Sequence, residues 1–238
     1  MTRAPTIAKR ELSSYFFSPI AYVALALFLL ASGVAFWDDF VPGAPAEMRH
    51  MFQWMVLLLV FIVPVLSMGL MSQEWATGTI ESLLTAPVNE TDVIVGKFLG
   101  ALCFFVVLLA PTLLYAVLLT IYGHTDKGAI ASGYLGIFLV GALFNAIGLF
   151  CSSLTRSQVV AAVASAAVLF MGTIVPWWAA GQATLGSFWR AVVDQCVLRR
   201  YEDFSKGIID TGNIVFFVAT TAVILFLTTK LLEMRRWA

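Results

Sequence analysis

Six long apolar runs, none holding a side chain that is charged near neutral pH, constrain this chain more than anything else in it. They cover 20–37, 52–71, 98–122, 130–154, 159–178 and 214–229, and none contains Asp, Glu, Lys, Arg or His. A helix needs about 20 mostly apolar residues to cross about 30 Å of hydrocarbon, and a central charge opposes insertion by about 2.5–3.5 kcal/mol. A soluble helical protein would need a polar face on each helix, and these runs have none. Composition agrees: of 238 residues, 61% are hydrophobic and 12% charged, against about 25% charged in a soluble domain. The expected fold class is an all-α polytopic membrane protein with six transmembrane helices set in a lipid bilayer. The 14 Lys and Arg balance 14 Asp and Glu, which excludes a basic nucleic-acid binder, so no nucleic acid is expected as partner. Three cysteines, an odd number, exclude a disulfide framework.

Six spans put both termini on one side. Arg3, Lys9 and Arg10 precede the first span, and Lys230, Arg235 and Arg236 follow the last, so both N- and C-termini are expected in the cytoplasm. Asp38 and Asp39, not a small-residue cleavage site, follow the first run, which reads as a retained span rather than a signal peptide. The segment 72–97 fits the rule poorly, with Glu74, Glu81, Glu90 and Asp92 against Lys97. Acids contribute little to topology, so the orientation stands. Trp37, Trp54, Trp177 and Trp178 fall at the outer ends of their spans, as an interfacial belt should.

Three polar segments carry further pattern. In 5–19, Ala8, Leu12, Tyr15 and Phe16 recur at helical spacing, which suits an amphipathic helix in the cytoplasmic interface and equally an ordinary positive flank. In the inner loop 73–87, Ala76, Ile80, Leu83 and Leu84 form an apolar stripe, with Glu74, Thr77, Glu81 and Thr85 opposite. Gly78 is placed to begin a helix with Glu81 three residues on; Pro87 ends it and Asn89 caps the next. Such a helix fits either a groove on another protein or the lipid headgroups. The outer loop 179–212 is too long to be structureless. Phe188, Val192, Cys196 and Arg199 space like one short helix there, broadened by Trp189, Val193 and Val197.

Catalytic patterns are absent from the sequence. It has no Gly-x4-Gly-Lys-Ser/Thr phosphate loop, and His50 and His124 stand apart, without the His-Glu-x-x-His spacing of a zinc protease. The spans hold no carboxylate or His to serve as a base or as a proton relay, and a nucleophile such as Ser165 lacks an intramembrane His. An energy source outside the chain is the economical reading. Asn89-Glu90-Thr91 spells a glycosylation sequon, but on the inner face, where it is coincidental.

Small residues mark close-packing surfaces. Gly96 and Gly100 open the third span, Gly141, Asn145, Gly148 and Ser152 line the fourth, and Ala161, Ala164, Ser165 and Ala166 enrich the fifth. These stripes serve packing within the chain, a dimer seam or a substrate path. Asn145, deep in its span, calls for an interhelical hydrogen bond. Pro64 and Pro111 are placed to kink their helices.

Four passages resemble the permease subunits of ABC-2 type ABC transporters, particularly the gliding-motility-associated subgroup. The start runs Arg10-Glu-Leu-Ser-Ser-Tyr-Phe-Phe-Ser-Pro-Ile-Ala-Tyr22. The inner loop runs Glu74-Trp-Ala-Thr-Gly-Thr-Ile-Glu-Ser-Leu-Leu-Thr-Ala-Pro87, followed by Gly96-Lys97-Phe98. The outer loop ends Tyr201-Glu-Asp-Phe-Ser-Lys-Gly-Ile-Ile-Asp210, and the tail runs Leu232-Glu-Met-Arg-Arg-Trp237. The resemblance implies a single ABC-2 type transmembrane domain over 1–238, with 1–19 as an N-terminal connecting helix, 73–87 as the cytoplasmic coupling helix and 179–212 as a helical extracellular loop. It implies that Glu74, Thr77, Gly78, Thr79, Glu81 and Leu84 carry contacts to a cytoplasmic ABC ATPase dimer. That partner would bind ATP and Mg, leaving this chain no cofactor and no catalysis of its own. A second permease copy or a paralogue completes the pore, periplasmic or membrane accessory proteins are further partners it allows, and the location is the bacterial cytoplasmic (inner) membrane. The function so implied is that of an exporter or mechanotransmitter. A stand-alone channel or membrane scaffold would also explain the ion-free spans, though not the amphipathic inner loop.

Overall fold

The computed structural model describes residues 4–39, 48–79, 89–122, 126–180 and 195–236. These are helical, with no strand among them. The elements are α1 (Ala4–Phe17), α2 (Pro19–Asp39), α3 (Arg49–Ser67), α4 (Gly69–Thr77), α5 (Glu90–Leu109), a 3-10 turn (Ala110–Thr112), α6 (Leu113–Tyr122), α7 (Lys127–Leu154), α8 (Gln158–Ala180), α9 (Val197–Ser205) and α10 (Thr211–Arg236). Six candidate membrane spans result: α2, α3 with α4, α5 through α6, α7, α8 and α10.

The expected runs lie inside these helices, but the helices extend past them. The third span begins at Glu90, so Lys97 lies on a span helix rather than in the preceding loop. Asn89 holds the N-cap position, as expected, but its side chain makes no capping bond. Pro111 sits in the 3-10 turn that joins α5 to α6. Proline lacks the N–H that a continuous helix would use, so the turn tightens there. Pro64 lies inside α3, and four residues later the helix breaks at Met68.

That break is held by the fourth span. The Ser152 hydroxyl donates to the Met68 carbonyl at 2.8 Å and accepts from the Met71 and Ser72 amides at 3.0 Å each. A buried, unpaired amide costs about 1–3 kcal/mol, so one hydroxyl compensates three backbone groups of another helix. Its own helix, α7, is the hub of the bundle. About 72% of its apolar stretch is buried, against 17% for α10 at the periphery. Around it pack α3, α4, α5, α8, α9 and α10.

The glycines of α7 set the contact distances. A Cβ on Gly141 would enter the Phe105 ring of α5, and one on Gly148 would strike the Ser67 hydroxyl of α3. Asn145 departs from expectation. Its amide donates to the Gly141 carbonyl of its own helix at 2.8 Å, so the polar group is satisfied one turn back rather than across helices. At the far end α9 lies over α7: Ser132 Oγ donates to the Phe204 carbonyl at 2.8 Å, and Gly136 admits Tyr201 and Phe204. The expected helix through Phe188 and Arg199 is not continuous, because Cys196 is extended (φ −62°, ψ 139°) and α9 starts only at Val197. The rest of that expectation, Phe188 to Val193, lies outside the described residues.

Candidate functional site

The N-terminal helix meets protein along its apolar face. Ala4 and Ile7 are buried and Leu12 and Tyr15 pack on the core, a wider stripe than Ala8, Leu12, Tyr15 and Phe16 alone. Its partner is α5. A Cβ at Gly96 would lie 2.8 Å from the Ile7 Cβ, and one at Gly100 2.6 Å from the Glu11 Cβ. Farther along, Tyr15 stacks on Phe104 with ring centroids 4.7 Å apart. Contacts that climb both chains together mean that α1 and α5 run side by side in the same direction. The Gly96 and Gly100 surface thus serves packing within the chain. Tyr15 also donates to the Leu66 carbonyl of α3 at 2.9 Å, and burial, with Glu11 nearby, pushes its pKa up.

This pairing brings four charges together. Lys97 on α5 has a side chain only 1% exposed, and its Nζ donates at 2.9 Å to Glu11 Oε1 of α1 and at 2.9 Å to Glu74 Oε1 of α4. Arg10 bridges the same two oxygens from outside at 3.3 Å each. Two cations and two anions make a neutral cluster, which is how an otherwise costly buried ammonium is retained. One atom is left over: Glu74 Oε2 is buried and has no hydrogen-bond partner among the described residues. Three elements distant in sequence are therefore pinned at one point.

Glu74 is one of the expected coupling residues, and the others lie just beyond it. Thr77 caps back onto the Gln73 carbonyl at 2.9 Å and contacts Thr79 Oγ1 at 2.9 Å. Gly78 adopts φ 72°, the left-handed conformation glycine takes without penalty, and so closes α4. Residues 73–77 are consequently the end of the second span; Ile80, Leu83 and Leu84, the rest of the expected stripe, lie outside the described residues. Thr79 is helical again; Glu81 and Leu84 lie outside the described residues. Beside Glu74, Trp75 receives the Arg235 guanidinium 5.0 Å from its ring centre, which ties the end of α10 to α4.

Spacing did not point to Lys97, Glu11 or Arg235 as members of a cluster. A signal existed: Glu11 stands four residues after Ile7, in phase with the buried stripe, and Lys97 falls inside a small-residue packing motif.

Residues 17–187 match the family described as ABC-2 family transporter protein. The chain belongs to this family. It is a multi-pass membrane protein and a membrane-spanning permease component of an ABC transporter. Permeases of this family are generally non-catalytic and typically work with a cytoplasmic ATPase. The match takes in Glu74, Lys97 and the first five spans of this ABC-2 permease; Arg10 and Glu11 precede it. No curated protein matches the chain.

Proposed function

We propose that this permease couples ATP hydrolysis by a separate cytoplasmic ABC ATPase dimer to work across the bacterial cytoplasmic membrane, as an exporter or mechanotransmitter of the gliding-motility-associated kind. Both termini face the cytoplasm, where the ATPase holds ATP and Mg. Glu74, Thr77, Gly78, Thr79, Glu81 and Leu84 form the dock, and a second permease copy or a paralogue supplies the other half of the pathway. The observation that carries this reading is the cluster at Glu74. The root of the inner loop is bound through Lys97 and Arg10 to α5 and α1, so a push that arrives at Glu74 passes directly to two further helices. Ions of opposite sign in a partly dry site resist separation more than surface pairs do.

Affinity purification from the native membrane in mild detergent tests it. Tagged chain is expected to recover an ATP-binding protein, and Glu81→Lys to lose that protein while the chain still inserts and elutes as a folded species. Recovery of no ATP-binding protein by the unmodified chain, or equal recovery by both, would sink the proposal.

A further inference from the structure

Where α4, α7 and α10 end together, Trp75, Leu154, Thr155, Arg156 and Arg235 line a recess of about 510 Å³. Two arginines line it, and among the described residues no carboxylate does. The acids nearest in sequence are engaged elsewhere: Glu74 with Lys97 and Arg10, Glu233 with Lys230. Arg235 is held in place, donating from Nη2 to the Leu154 carbonyl at 2.7 Å and resting on Trp75. A guanidinium has five N–H donors, so others stay available to an acceptor. Arg156 is exposed and makes no hydrogen bond or ion pair with another described residue. Two residues after Arg156 α8 begins, and Val159, Val160 and Val163 in its first two turns are exposed.

We propose that this recess binds the headgroup of an anionic phospholipid, with Arg156 and Arg235 on the phosphate and the acyl chains along Val159, Val160 and Val163. A basic pocket between spans at the membrane boundary has the chemistry such headgroups select. Free phosphate would satisfy the arginines but leave the valine strip without a role, which favours the lipid. The inference draws on the permease reading only for naming this end the inner leaflet. It adds a ligand that would bear on Trp75, next to the charge cluster.

Native mass spectrometry of the full chain tests it, with dioleoylphosphatidylglycerol, dioleoylphosphatidylcholine or inorganic phosphate as the added probe. Phosphatidylglycerol is expected to be retained over phosphatidylcholine. Arg156→Gln should lower that preference by about fivefold, the share of one basic side chain near an anionic surface. Lys127→Gln, which removes a cation at the opposite end of α7, should leave it unchanged. An undiminished preference in R156Q, or an equal loss in K127Q, overturns the proposal. So does Arg156-dependent binding of inorganic phosphate without preference for the anionic lipid. No ATPase enters this measurement, so its outcome and that of the affinity purification stand apart.

Discussion

Replacing Lys97 with methionine is the most incisive perturbation of the cluster. The side chain keeps its length and apolar stem but loses the ammonium that lies 2.9 Å from both Glu11 and Glu74. Those carboxylates have side chains only 14% and 18% exposed, so they stay largely dry. They would then share Arg10 alone, at 3.3 Å and with its side chain 59% exposed. Removing one partner from a buried pair costs about 3–5 kcal/mol; with Arg10 still present, the lower end, about 3 kcal/mol, is expected. At about 2–4 °C per kcal/mol for a chain of this size, Tm should fall by on the order of 6–12 °C. Arg10→Gln removes an exposed partner and should cost about 0–1 kcal/mol. Glu11→Gln, Lys97→Met and Glu74→Gln together remove all three inner charges and should recover most of the loss, because the one ion left without a partner, Arg10, is 59% exposed and stays hydrated. Thermal unfolding in detergent, followed by tryptophan fluorescence, reads all three. If K97M melts no lower than R10Q, or if the triple variant is the least stable, the cluster is not a buried ion network and the reasoning fails.

Three other outcomes are expected. Gly100→Ala places a methyl 2.6 Å from the Glu11 Cβ and 3.1 Å from the Ala8 carbonyl; overpacking should cost about 1–3 kcal/mol and raise hydrogen exchange in α1 ahead of the rest. Ser152→Ala strips the Met71 and Ser72 amides of their acceptor and should cost about 1–3 kcal/mol, with the exchange gain confined to residues 68–72. Burial pushes the Cys196 thiol pKa up. Less thiolate is therefore present at neutral pH, and alkylation by a maleimide should be slow in the folded protein and accelerate on unfolding.

The spans were legible because exclusion of charge over about 20 residues has one main physical cause. The same criterion hid the cluster. The ion-free run starts at Phe98, one residue past Lys97, although the helix begins at Glu90. A lysine 1% exposed survives there only because two acids arrive from segments 86 and 23 residues away in sequence, and no local pattern announces partners at such distance. Gly96 and Gly100 could be read as a packing surface, but not that α1 fills it, since a small-residue motif states how near a neighbour comes and not which one. The inner-loop pattern places Gly78 at the start of a helix. Glycine also serves as a stop, and a left-handed residue ended the helix there. Depth in the span asks only that Asn145 find an acceptor, and the carbonyl one turn back is near enough to supply it.

The side-by-side pairing of α1 and α5 also fixes an order of events at the ribosome. Glu11 is made 86 residues before Lys97, a wait of about 4–17 s at usual elongation rates. Through that interval α1 to α4 are made without the surface that will cover α1, and Arg10 and Glu11 have no Lys97 to meet. The first span therefore settles its direction without the cluster, which closes only once the third span has been threaded. A nascent chain stalled before residue 97 would leave α1 open to proteases, and one stalled after the third span enters the membrane would not.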